Sequence, residues 1–96
     1  MIRHVVFMKF KPETSEASIA EVEMHLGRLP GLIPDILAYE FGRDIVRSER
    51  SYDFALVSSF KDLDALRRYQ VHPDHLVVVD LLKGICERLV AVDFEM

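Results

Sequence analysis

A chain of 96 residues can build one packed domain but not two, which excludes a separate cofactor-binding domain. Half of the residues are apolar and 29% are charged, with only four Gly and four Pro, a balance that supports a core and excludes a disordered or fibrous chain. Twelve Lys and Arg against sixteen Asp and Glu give a net charge of -4, and no basic run could neutralise a row of phosphates, so nucleic acid is not an expected partner.

The lone Cys86 has no intrachain disulfide partner, which points to a reducing, cytoplasmic setting. No apolar stretch has the length of a leader or a membrane span, and no membrane partner is expected.

Ile2 to Phe10, rich in β-branched and aromatic residues and closed by Lys11-Pro12, reads as the first strand. Thr14 or Ser15 can cap a helix from Glu16 to Leu29, whose Ile19, Val22, Leu26 and Leu29 share one face. Pro30-Gly31 is expected to end it, and Ile36 to Gly42 forms a second strand. Arg43 to Ser51 is charged and reads as a solvated, mobile connection, although its arginines Arg43, Arg47 and Arg50 could also screen a pocket entrance.

Tyr52 to Phe60 alternates a larger face (Tyr52, Phe54, Leu56, Ser58, Phe60) with a smaller one and reads as the third strand. Asp62 caps a helix running through Tyr69. His72-Pro73 breaks it, and Pro73 suits the first position of a further helix through the Val-rich Leu76 to Leu82 stretch. Gly84 is the expected terminator and Cys86 to Phe94 the last strand.

The resulting β-α-β-β-α-β order implies an α+β, ferredoxin-like fold with a four-stranded antiparallel sheet and the helices on one face. Several strands are apolar on both sides, Val5 and Phe7 as well as Ile2, Val6 and Met8, yet helices on one side cover only one face. A second copy of the chain is the simplest cover, so a homodimer with facing sheets is expected.

Four parts of the chain together resemble the stress-responsive α/β barrel, or Dabb, family. They are Ile2-Arg3-His4-Val5-Val6-Phe7-Met8-Lys9-Phe10, the Tyr52 to Val57 strand, the Tyr69-Gln70-Val71-His72-Pro73-Asp74-His75 segment and the closing Val90-Ala91-Val92-Asp93-Phe94. The resemblance implies a dimeric barrel with a pocket between the sheet and helices of each protomer. In a plant branch of the family that closes a polyketide chain by aldol condensation, the last His of the Tyr-x-x-His-Pro-x-His string is the general base and the Tyr its partner. Those positions are matched here by His75 and Tyr69, and the strand-one His that lines the pocket by His4. That branch carries a tyrosine on the first helix where this chain has Leu26, a departure that argues against the same substrate.

His75 therefore stands as the candidate base and Tyr69 as the group that orients it or donates to an enolate oxygen. The competing reading is that both residues only join two helix segments. His4, Val6, Leu26, Leu56 and Ser58 are the candidate pocket lining for a small hydrophobic or phenolic ligand, against the alternative of a filled core. His72 is expected to cap a helix. His72 and His75 with Asp74 lack a third metal ligand, Cys86 lacks an activating neighbour, and no residue pattern calls for a metal or cofactor. A non-catalytic, stress-associated dimer is the alternative from another functional class.

Overall fold

The computed structural model describes residues 1–96. Its elements are β1 (Ile2–Phe10), α1 (Glu16–Leu32), β2 (Ala38–Arg43), β3 (Phe54–Phe60), α2 (Leu63–Val71), α3 (Pro73–Ile85) and β4 (Cys86–Glu95). The strands form one antiparallel sheet in the order β2-β3-β1-β4, the ferredoxin-like arrangement.

Register decides which side chains meet the helices. Val6 lies opposite Leu56 on β3 and Ala91 on β4, and His4 lies opposite Ser58 and Asp93. Ile2, His4, Val6, Met8 and Phe10 of β1 and Phe54, Leu56, Ser58 and Phe60 of β3 are buried under the helices, as period-2 alternation requires. Val22, Leu26 and Leu29 of α1, Ala65, Leu66 and Tyr69 of α2, and Val78 and Leu82 of α3 complete the core.

The helix starts follow their capping residues. Ser15 Oγ accepts from the Ser18 N–H at 3.1 Å, and Asp62 Oδ1 accepts from the Ala65 N–H at 2.9 Å. His72 ends α2 and caps α3, its Nδ1 accepting from the Asp74 N–H at 3.1 Å. With Pro73 beginning the next helix, this residue turns the chain between two short helices where one was counted in the β-α-β-β-α-β order.

Three boundaries differ from the sequence reading. Helix α1 continues through Pro30-Gly31 to Leu32, because a proline in the last turn forfeits a single hydrogen bond while the buried Ile33 anchors the exit, its N–H donating to Leu29 O at 2.9 Å. Gly84 lies inside α3, which ends one residue later when the Cys86 N–H donates to Leu82 O. The Pro34 segment forms a turn closed by the Ile36 N–H on Ile33 O, so β2 starts at Ala38.

The segment after β2 is largely exposed, as expected of a solvated connection, and its charges tie it to neighbouring elements. Arg47, at φ 56°, donates from its main chain to Asp44 Oδ2 and from its guanidinium to Asp53 Oδ1, each at 2.7 Å. Asp53 also accepts from the Phe10 N–H at 2.7 Å. Arg43 reaches back to Glu16 and Glu23 on α1.

The other sheet face has no helix over it. Val5, Phe7, Val57, Val90, Val92 and Phe94 form its apolar centre by register, and Phe7 is 42%, Val92 58% and Phe94 48% exposed. Tyr52 packs its ring edge-on to Phe7.

Candidate functional site

Between the helix-facing side of the sheet and the helices lies a cavity of about 180 Å³. Strand β1 contributes His4, Val6 and Met8, α1 Leu26, and β3 Leu56. Helix α2 supplies Tyr69 and Gln70, α3 His75, Val78, Val79 and Leu82, and β4 Leu89 and Ala91. His75 and Tyr69 thus reach one cavity together with four of the five expected lining residues.

Ser58 does not line it. It is fully buried beside His4, and its hydroxyl donates to the His4 main-chain carbonyl at 3.4 Å. Phe54 also stays out of the space, because it stacks on Phe41 at a centroid distance of 5.9 Å. Leu26 forms wall rather than plug. The arginines of the β2–β3 connection are absent from the lining, and Arg43 and Arg47 pair with carboxylates elsewhere.

The polar atoms at this wall are few and individually placed. His75 enters from the first turn of α3, beyond the extended His72 that separates it from α2. Its Nδ1 lies 3.1 Å from the Gln70 carbonyl. A carbonyl only accepts, so Nδ1 carries the proton and Nε2 keeps its lone pair. Burial pushes the His75 pKa below its ordinary value, an effect the Gln70 carbonyl opposes and the neighbouring His4 and His72 reinforce. The imidazole is therefore a neutral, singly protonated base at pH 7.

Tyr69 is fully buried and packs its ring against that of His75, with centroids 4.2 Å apart and planes inclined at 41°. Its hydroxyl bonds to Tyr39 at 2.8 Å. The Gln70 carbonyl fixes the tautomer, and Tyr69 supplies the face on which the ring rests. Burial raises the Tyr69 pKa to about 12, so this phenol stays protonated and can donate.

His4 stands across the cavity with its ring 6.2 Å from that of Tyr69. Its Nδ1 is hydrogen-bonded to the Asp93 carboxylate, which fixes a proton on that nitrogen. Asp93, Tyr39 and Gln70 were not singled out from the sequence. Asp93 carried a usable signal as a carboxylate at an inward position of an apolar strand, and Tyr39 carried one as a phenol on the inward face of β2.

Cys86 is half-buried, and burial raises its pKa to about 11, which leaves an unreactive thiol. No three His, Cys, Asp or Glu side chains converge as a metal-ligand set. No helix is long and apolar enough to cross a membrane.

Comparison with known proteins places the fold among relatives of similar length. An uncharacterised protein of Streptomyces coelicolor is 35% identical over 99% of this chain and 99% of its own length. Olivetolic acid cyclase of Cannabis sativa is 25% identical over 97% of this chain and 94% of its own. Among solved structures, a dimeric ferredoxin-like protein of unknown function from Thermobifida fusca superposes with a TM-score of 0.91 at 32% identity, covering 99% of this chain and 90% of that one. The model of the stress responsive A/B barrel domain matches residues 2–96, and the chain belongs to that family.

Proposed function

We propose that the protein is a homodimeric, cofactor-independent enzyme that moves a proton on a small, largely apolar carbonyl compound, in a cyclase-, isomerase- or lyase-like reaction. The observation that carries this reading is the pairing of His75 and Tyr69 at one wall of a largely apolar cavity. An apolar cavity of about 150 Å³ holds a benzene molecule, so this one suits a ring-sized ligand.

In that reading His75 Nε2 takes a proton from the carbon next to the carbonyl. The C–H electron pair becomes the enolate, and the Tyr69 hydroxyl donates to the developing oxyanion. Return of the proton from the imidazolium to carbon, or to an oxygen of the product, regenerates the base. The low polarity of the wall strengthens the Tyr69 hydrogen bond and keeps the base neutral before reaction.

The dimer is supported by the uncovered sheet face, whose apolar centre matches itself across a two-fold axis, and by the dimeric state of the Thermobifida relative. The Cannabis relative, named a cyclase, supports the class of chemistry, while Leu26 at the first-helix wall supports a different substrate.

Deuterium wash-in tests the reading. With acetophenone in D2O at neutral pH, wild type should speed methyl exchange above the buffer rate, and His75→Ala should abolish the gain. Exchange at the buffer rate for acetophenone and for a panel of β-keto and lactone compounds, or a gain that survives in His75→Ala, would overturn it.

A further inference from the structure

Tyr39 touches the proposed machinery from outside the cavity. It projects from β2 on the helix-facing side, opposite Ser58 in register, and meets Tyr69 edge to face at a centroid distance of 6.2 Å. The two hydroxyl oxygens lie 2.8 Å apart, and neither has another protein partner. Tyr69 lines the cavity and Tyr39 does not.

Each phenol has one proton and can both donate and accept. When a ligand oxygen occupies the cavity, a single chain of bonds uses both protons: Tyr39 donates to Tyr69, and Tyr69 donates to the ligand. The reverse direction spends the Tyr69 proton on Tyr39 and leaves nothing for the ligand. Burial raises the pKa of both phenols, so neither proton is lost at neutral pH.

We propose that Tyr39 is a positioning residue of this site, whose hydroxyl donates to the Tyr69 oxygen and thereby holds the Tyr69 proton toward a carbonyl oxygen in the cavity. This rests on the reading that the cavity binds a carbonyl compound. A donor that is itself hydrogen-bonded gives a stronger bond onward, because each link polarises the next. Tyr39 acts through Tyr69 and does not touch the ligand.

The test combines a ligand-free and a ligand-bound measurement on wild type, Tyr39→Phe, Tyr69→Phe and the double variant. Without ligand, the stability losses of the two single variants should be non-additive, the double variant losing no more than the larger single loss. With acetophenone as the probe, Tyr39→Phe should bind up to about twofold more weakly, because the onward bond loses only its cooperative strengthening. The carbonyl stretch of bound acetophenone should sit lowest in wild type, rise in Tyr39→Phe and reach its value in an apolar solvent in Tyr69→Phe.

Additive stability losses, or a carbonyl stretch and affinity in Tyr39→Phe equal to wild type, would overturn the role of Tyr39. Absence of acetophenone binding to wild type would instead count against the cavity reading, and the non-additivity measurement would still decide whether the two hydroxyls act as a unit.

Discussion

The imidazole of His75 donates from Nδ1 to the Gln70 carbonyl, and this one bond joins the end of α2 to the start of α3 while freeing Nε2 as a base. The extended His72 between the two helices brings His75 of the first turn of α3 within reach of Gln70 near the end of α2. The Tyr-x-x-His-Pro-x-His string is therefore a structural device, and in the proposed function it is also the one that presents the base. Proline starts the second helix, the first histidine caps it, and the second is delivered to the ring of Tyr69.

Burial of His75 sets a pH dependence with a definite sign. Its folded-state pKa is lowered below the ordinary 6.5, so the unfolded chain binds the additional proton first as pH falls. The contribution of His75 to stability is complete above about 6.5 and is lost as pH falls through the folded-state value. Histidine-resolved NMR titration should give a midpoint below 6.5 for His75, and His75→Gln should flatten the fall in unfolding free energy between about pH 6.5 and 5.

Asp53 anchors the β2–β3 connection. Its burial acts to raise its pKa, but the Arg47 guanidinium and the Phe10 N–H outweigh that and hold the carboxyl below the ordinary range. Asp53→Asn should cost about 1–2 kcal/mol at pH 7 by loss of the charged partner, read as a lower urea midpoint with an unchanged slope. Arg47→Ala should cost less, because its side chain is more than half exposed.

Leu26 forms part of the cavity wall from α1 and is 1% exposed. Leu26→Ala should destabilise by about 2–4 kcal/mol and widen the space, so that bulkier aryl ketones bind better than to wild type once its own stability loss is taken into account. Equal affinities for the small and bulky compounds in both proteins would place the ligand elsewhere.

The uncovered sheet face predicts the fate of a charge placed there. Val92→Lys lies at the centre of that face and should shift sedimentation from dimer mass toward monomer mass, with helix content retained. A variant that keeps dimer mass would mean that the copies meet through another surface.

The sequence revealed β3 by its period-2 alternation and β1 by its β-branched and aromatic content, and burial under the helices imposes one inward face on both. Helix ends were less legible at Pro30 and Gly84. There a local preference was overridden by tertiary anchors, the buried Ile33 in the first case and the docking of α3 through Val78 and Leu82 in the second. His75, Tyr69 and His4 were visible as residues, and the cavity that gathers them was not, since it depends on register and on the angle of α3. Tyr39 and Asp93 stood out only as polar groups on inward strand faces, and their partners needed the register. Each sits in a strand whose alternation is ordinary, and each gains its meaning from the residue it meets across the sheet or on α2.

The most direct test of the account is a thermal-shift screen of small phenolic, β-keto and lactone compounds, run on wild type, His75→Ala and Tyr69→Phe side by side. The account predicts that at least one compound raises the wild-type midpoint by several degrees, as expected for about 2.7 kcal/mol at a hundredfold excess over its dissociation constant, and that either substitution shrinks the shift. No shift in wild type, or an equal shift in all three proteins, would contradict a ligand site built around His75 and Tyr69.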